Sequence, residues 1–280
     1  MYKRQVYTGA SVGGSWQWQP HNQYHVKAGA RGLSWAGSQP ESMSDYRAKI
    51  DSVKQPYVSH ETGQWCAFPN FSEIRKYTGV NKAKNFEIFR DILNDNHMGS
   101  MGHDFMMASG KLQAICYKHE IEKTLRTPDY AGFQLLALND YSGQGTALVG
   151  LLDVFFEEKG YINADEFRRF CSPTVPLARI PKFVYTNDET FHADIEVSHF
   201  GAAPLQGAKT VYSIKDEYGK VYAHGTVGTQ NIPVGNLCPL GSVDMKLSGI
   251  TRPQKLNMEI RIEGSDAVND WDFWVYPAQV

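Results

Sequence analysis

From Val6 to about Ser172, short β-prone runs alternate with stretches whose apolar residues recur every three or four positions. Val6-Tyr-Thr-Gly-Ala10, Tyr57 to His60 and Phe133 to Leu138 are the strand candidates. Between them, Ile74, Tyr77 and Val80, then Phe86, Phe89 and Leu93, fall at helical spacing. Phe105, Leu112, Ile115, Cys116, His119 and Leu125 trace a second helix. Thr146 to Lys159 reads as a third, stopped by Gly160, and Asn163-Ala-Asp-Glu166 is a capping signal for a fourth. This alternation predicts βα units.

After Pro173-Thr-Val-Pro176-Leu-Ala-Arg-Ile-Pro181 the period changes to two. Three prolines in that segment forbid a continuing helix and predict a domain boundary, with one domain over 1–176 and another over 177–280. Phe191/Ala193/Ile195/Val197, Val221/Ala223/Gly225/Val227, Val243/Met245/Leu247 and Leu256/Met258/Ile260/Ile262 alternate with polar neighbours, as half-buried antiparallel strands do. Thr210 to Ile214 and Trp271 to Tyr276 add two strands, and Asp216-Glu-Tyr-Gly219 forms a turn. The pattern predicts an immunoglobulin-like β-sandwich.

Composition narrows the function. The 280 residues suffice for two domains, and 42% hydrophobic content fills two cores. A net charge of −2, from 28 basic and 30 acidic residues, argues against a nucleic-acid face or a polybasic membrane anchor, and suits a neutral ligand. Cys66, Cys116, Cys171 and Cys238 have no zinc-ligand spacing, so neither metal nor other cofactor is expected. No apolar run reaches the length of a membrane span. Met1-Tyr-Lys-Arg-Gln5 matches the translation of a common sequencing adapter, which leads us to expect a natural protein that continues upstream.

Candidate chemistry concentrates in Pro56-Tyr-Val-Ser-His-Glu61-Thr-Gly-Gln-Trp65. Here a β-prone run ends in a carboxylate, Gly63 lets the chain turn beside it, and Trp65 offers an apolar face with a ring N–H. Such a pairing suits sugar chemistry; the competing reading is a solvated loop glutamate beside a core tryptophan. Strand alternation predicts that His60 and Glu61 point to different sides unless the strand has already ended. Trp16, Trp18 and Trp35 are candidate sugar platforms or core residues. Asn139 and Asp140 close the third strand candidate, where they could bind hydroxyls or cap a following helix. Gly143-Gln-Gly-Thr-Ala-Leu-Val-Gly150 lacks the spacing and the lysine of a phosphate loop.

The string Val-Ser-His-Glu61-Thr-Gly-Gln-Trp65 resembles the nucleophile strand of family 2 glycoside hydrolases, which include β-galactosidases, β-glucuronidases and β-mannosidases. Gly132 to Asp153, with Gln144 among its glycines, is similar to the eighth-strand region of a branch of such enzymes in gut Bacteroidetes. Phe167-Arg-Arg-Phe-Cys171, Val184 to Phe191 and Trp271 to Tyr276 resemble the same branch.

The resemblance implies a partial (β/α)₈ barrel, about strands six to eight, followed by the sandwich. It implies a retaining β-glycosidase, β-galactosidase-like, acting on oligosaccharide or polysaccharide, with Glu61 as nucleophile. The family's acid/base glutamate has no counterpart in these residues, so the chain alone is expected to be inactive. Tyr24 and His25 would follow strand six and meet Glu61 or a sugar hydroxyl, although both also read as ordinary loop residues. His60, Gln64, Trp65, Trp16, Asn139, Asp140 and Gln144 complete the expected substrate contacts. The resemblance further implies a periplasmic or secreted protein. The alternative is a carbohydrate-binding protein without catalysis.

Overall fold

The computed structural model describes residues 30–35, 37–53, 56–141 and 148–279, and the backbone of 25–27. Two compact units emerge. One contains Met1–Gly32 as far as it is described, Val53–Glu120 and Ala131–Phe167; the other contains Leu33–Ser52, Ile121–Tyr130 and Arg168–Val280. The chain is mixed α/β with mostly sheet, and the described residues form no closed barrel.

The first unit holds a three-stranded sheet of β1 (His25–Lys27), β2 (Tyr57–Thr62) and β3 (Tyr130–Leu135), in that order. β1 runs parallel to β2 with His25 opposite Tyr57. His25 therefore belongs to a strand, which corrects its expected loop placement; the strand expected at Val6–Ala10 lies outside the described residues. β3 starts three residues before the expected Phe133.

Between β2 and β3 the chain forms α2 (Lys84–Asp95) and α3 (Gly102–Leu125), while the short α1 (Arg47–Ile50) precedes β2 in the second unit. The helix expected from Phe105 to Leu125 exists, but its inner face differs. Leu112 and Ile115 are exposed, whereas Met106, Gly110, Gln113 and Tyr117 are buried. Contacts explain the choice. The ring of Tyr161 lies where a side chain on Gly110 would stand, and the Gln113 amide donates to the carbonyls of Trp65 and Leu148 at 2.6 and 3.0 Å. Polar satisfaction of a buried loop thus outweighs the apolar stripe.

No helix forms over 148–159, which corrects the expected Thr146–Lys159 helix. Asn139 bridges to Leu152 and Leu152 to Glu158, so the segment folds back on itself. Gly150 lies so close to the backbone of Asn139 that an added Cβ would stand 2.2 Å from its carbonyl carbon. The capping signal holds: α4 (Ala164–Arg168) begins with Asn163 Oδ1 accepting from Glu166 N, and Glu166 Oε2 accepting from Asn163 N, both at 2.9 Å.

The second unit carries two sheets. One has β5 (Val184–Thr186), β11 (Val268–Tyr276), β10 (Gln254–Ile262), β7 (Leu205–Asp216) and β8 (Val221–Ile232) in spatial order; the other has β4 (Thr174–Arg179), β6 (Thr190–His199) and β9 (Gly235–Lys246). Their inner faces share one core, as in a sandwich. Phe191 of β6 and Phe273 of β11 stack with centroids 4.1 Å apart. The period-two residues of β6 and β10 are buried as their alternation predicts, but Val221 on the edge strand β8 is exposed. The expected 176/177 division falls inside β4, whose Pro176 is tolerated because β4 is an edge.

Candidate active site

β2 sets the site. Tyr57 and Ser59 point inward, and from this side the Tyr57 hydroxyl accepts from Ala30 N at 3.0 Å while Ser59 Oγ donates to Ala30 O at 3.1 Å. The chain just after β1 is thereby fastened along β2. Alternation then fails: His60 and Glu61 are both half-buried, and Thr62 is buried again. Glu61 has φ +57°, a left-handed backbone that costs a non-glycine residue about 1–2 kcal/mol. That turn puts consecutive side chains together, with His60 Nε2 3.7 Å from Glu61 Oε1. His60 Nδ1 pairs with Gln134 Oε1 on β3 at 3.2 Å.

Glu61 Oε2 accepts from Arg31 Nη1 at 3.0 Å and from Gln64 Nε2 at 3.2 Å. The same Arg31 nitrogen donates to the carbonyls of His60 and Glu61 at 3.0 and 2.8 Å. The carboxylate keeps 21% of its side chain exposed, so it remains reachable.

Trp65 is half-buried, and its indole N–H donates to Glu120 Oε2 at 2.7 Å. Glu120 Oε1 accepts from Gly32 N at 2.7 Å, and the Gly63 N–H also reaches this carboxylate. Burial pushes the Glu120 carboxyl above its ordinary range; those donors and the nearby Arg31 pull against burial without cancelling it. The Trp65 ring N–H is therefore engaged inside the protein by Glu120.

Asp140 also departs from expectation. It is buried beside Lys159, Oδ2 to Nζ 2.6 Å, and its Oδ1 accepts from Gly150 N at 2.9 Å. Its carboxylate is thereby buried between Lys159 and the Gly150 backbone. Asn139 donates to the Asp140 carbonyl at 3.0 Å and is half-buried. Trp35 packs in the second unit's core, edge-on to Phe183. Trp16, Trp18, Tyr24 and Gln144 lie outside the described residues, as does the side chain of His25.

Of the expected site residues, the structure gathers Glu61, His60, Gln64 and, through Glu120, Trp65. Sequence reasoning missed Arg31, Glu120 and Gln134. Arg31 sits in Ala28-Gly-Ala-Arg-Gly32, where the glycines were the available signal of a close backbone approach. Glu120 lies within the helical pattern from Phe105 to Leu125, whose apolar spacing does not mark it. Among the described residues no cluster of His, Cys, Asp and Glu could hold a metal ion, and no helix is long and apolar enough to cross a membrane.

One family model, a domain of unknown function (DUF8488), matches residues 189–277. None of the curated proteins matches the chain. Partial structural likenesses include the β-glucuronidase of Parabacteroides merdae, 15% identical with a TM-score of 0.28 over 37% of this chain and 14% of that one. The exo-chitosanase of Amycolatopsis orientalis is 14% identical with a TM-score of 0.40 over 61% of this chain and 19% of that one. A CARDB domain from Pyrococcus furiosus is 13% identical with a TM-score of 0.27 over 37% of this chain and 93% of that one. The chain thus spans under a fifth of the length of either glycosidase. Glycoside hydrolases recur among the likenesses, at scores too low to carry an argument about chemistry.

Proposed function

We propose that this chain is part of a retaining β-glycosidase, β-galactosidase-like, with Glu61 as nucleophile. In this reading β2 and β3 are strands seven and eight of a (β/α)₈ barrel whose strand six is Val6–Ala10, outside the described residues, and the second unit's sheets are an immunoglobulin-like domain. The observation that carries the proposal is Glu61 itself: a carboxylate at a strand end, on strained left-handed backbone, with one oxygen fixed and the side chain still partly open. Strain of this kind concentrates where a side chain must be aimed. Glu61 would attack an anomeric carbon to form a glycosyl ester, while a second carboxylate protonates the departing oxygen. Glu120 does not fill that second role, because its oxygens are taken by Gly32, Gly63 and Trp65. The acid/base then comes from outside the described residues. Export to the periplasm or medium goes with this reading, and fractionation of the source cells tests it.

A second reading also has an observation behind it. Glu61 Oε2 is already engaged by Arg31 and Gln64, as in a site that binds a glycan without cleaving it.

A reagent that needs no acid separates the two. In a 2-deoxy-2-fluoro β-glycoside bearing dinitrophenolate, the Glu61 carboxylate forms the bond to the anomeric carbon and dinitrophenolate leaves with the electron pair of the broken C–O bond. A nucleophile gives a stable glycosyl adduct by intact mass; a binding site gives none.

A further inference from the structure

We propose that Arg31 is the positioning residue of this site, holding the Glu61 backbone and carboxylate as one rigid unit; the proposal rests on the glycosidase reading. In a regular strand, consecutive carbonyls point to opposite edges. At His60 and Glu61 both carbonyls converge on one atom, Arg31 Nη1, at 3.0 and 2.8 Å. They can do so because Glu61 has turned to φ +57°. The same nitrogen holds Glu61 Oε2 at 3.0 Å. One cation therefore favours the left-handed backbone and selects the carboxylate rotamer together.

The base of this clamp is fixed on both sides. Ala30 is tied to Tyr57 and Ser59, and Gly32 N–H to Glu120, whose other oxygen holds the Trp65 indole. Through the adjoining Gly32, Arg31 is thus joined to Glu120 and the Trp65 indole. With Oε2 occupied, Oε1 is the oxygen left to attack. His60 Nε2, at 3.7 Å from Oε1, is too far for a hydrogen bond.

Lysine cannot replace this arrangement. Its ammonium is a point charge on a flexible stem, whereas a guanidinium presents donors in a fixed plane. A misplacement of about 1 Å in a reacting group costs on the order of 10²-fold in rate.

The test compares the full chain with Arg31→Lys, Arg31→Ala and Glu61→Gln in their rates of modification by the fluoroglycoside at saturating reagent. Arg31→Ala is expected to lose about 10²-fold in the maximal rate constant. Arg31→Lys should recover little of it, and millimolar guanidinium should restore part of the Arg31→Ala rate, which a merely structural loss would not allow. Wild-type rates in Arg31→Lys, or no rescue by guanidinium in a folded Arg31→Ala chain, would overturn the positioning role while leaving the nucleophile in place. No adduct on the wild-type chain would instead defeat the glycosidase reading, and the positioning role with it.

Discussion

The α-carbon of Gly63 lies against the ring of Tyr117, so that a Cβ at position 63 would stand 1.9 Å from Tyr117 Cε1. Gly63 also has φ +83°, in the left-handed region. The loop leaving Glu61 toward Trp65 is therefore pressed onto α3. Tyr117 cannot move away freely, because its hydroxyl donates to the Val149 carbonyl at 2.7 Å. Gly63→Ala should destabilise the protein by about 2–4 kcal/mol, combining overpacking with backbone strain. Gly79→Ala, where nothing lies within 4 Å, should stay within about 0.5 kcal/mol. Urea denaturation of the two variants checks the contrast, and equal midpoints would remove the packing argument.

Stability should fall as pH rises from about 5 to 8. Glu73 is buried, and burial first, then Asp153 and Asp140, push its carboxyl up to about 7. Lys159 and Lys76 oppose the shift. Because the folded-state value lies above the ordinary 4.5, the folded protein holds the proton more tightly than the unfolded chain. Its stabilising effect is present below about 4.5 and is lost as pH rises through about 7. The full span is on the order of 3 kcal/mol. Glu73→Gln, which mimics the neutral acid, should flatten this slope and be more stable than wild type at pH 8. An unchanged pH profile in the variant would place the titration elsewhere.

Asp140→Ala should cost about 3–5 kcal/mol, because it strands Lys159 as a buried, unpaired cation. Asp140→Ala combined with Lys159→Met should recover much of that loss. If Asp140 instead bound substrate hydroxyls, the single variant would keep its melting temperature and lose only sugar affinity.

Phe273→Ala opens a cavity against Phe191 at the centre of the two sheets and should cost about 3–5 kcal/mol. Exposed Tyr218, in the turn after β7, provides a control whose removal should be nearly neutral.

In the second unit β6 and β10 were legible because each buries one face: their inward residues follow the period that their sequences show. β4 was illegible for the opposite reason, since Pro173, Pro176 and Pro181 read as a domain boundary, whereas Pro176 is tolerated within β4 at the sheet edge. In the first unit, Leu112 and Ile115 suggested an inner face that the structure gives to Gly110 and Gln113. Small residues that admit a neighbouring ring, and amides that satisfy a buried loop, leave no periodic trace. Glu61 could be singled out by its setting between a strand and a glycine. Arg31 could not, because its role depends on two carbonyls brought together by a left-handed residue thirty positions away.

The central claim is that Glu61 is a nucleophile, and the most direct measurement is peptide mapping of the full chain after reaction with dinitrophenyl 2-deoxy-2-fluoro β-glycosides of the galactosyl, glucuronyl and mannosyl series. The account predicts one glycosyl adduct, carried on the peptide that contains Glu61 and absent from Glu61→Gln. An adduct on another carboxylate, or an unmodified wild-type chain with all three reagents, would contradict it.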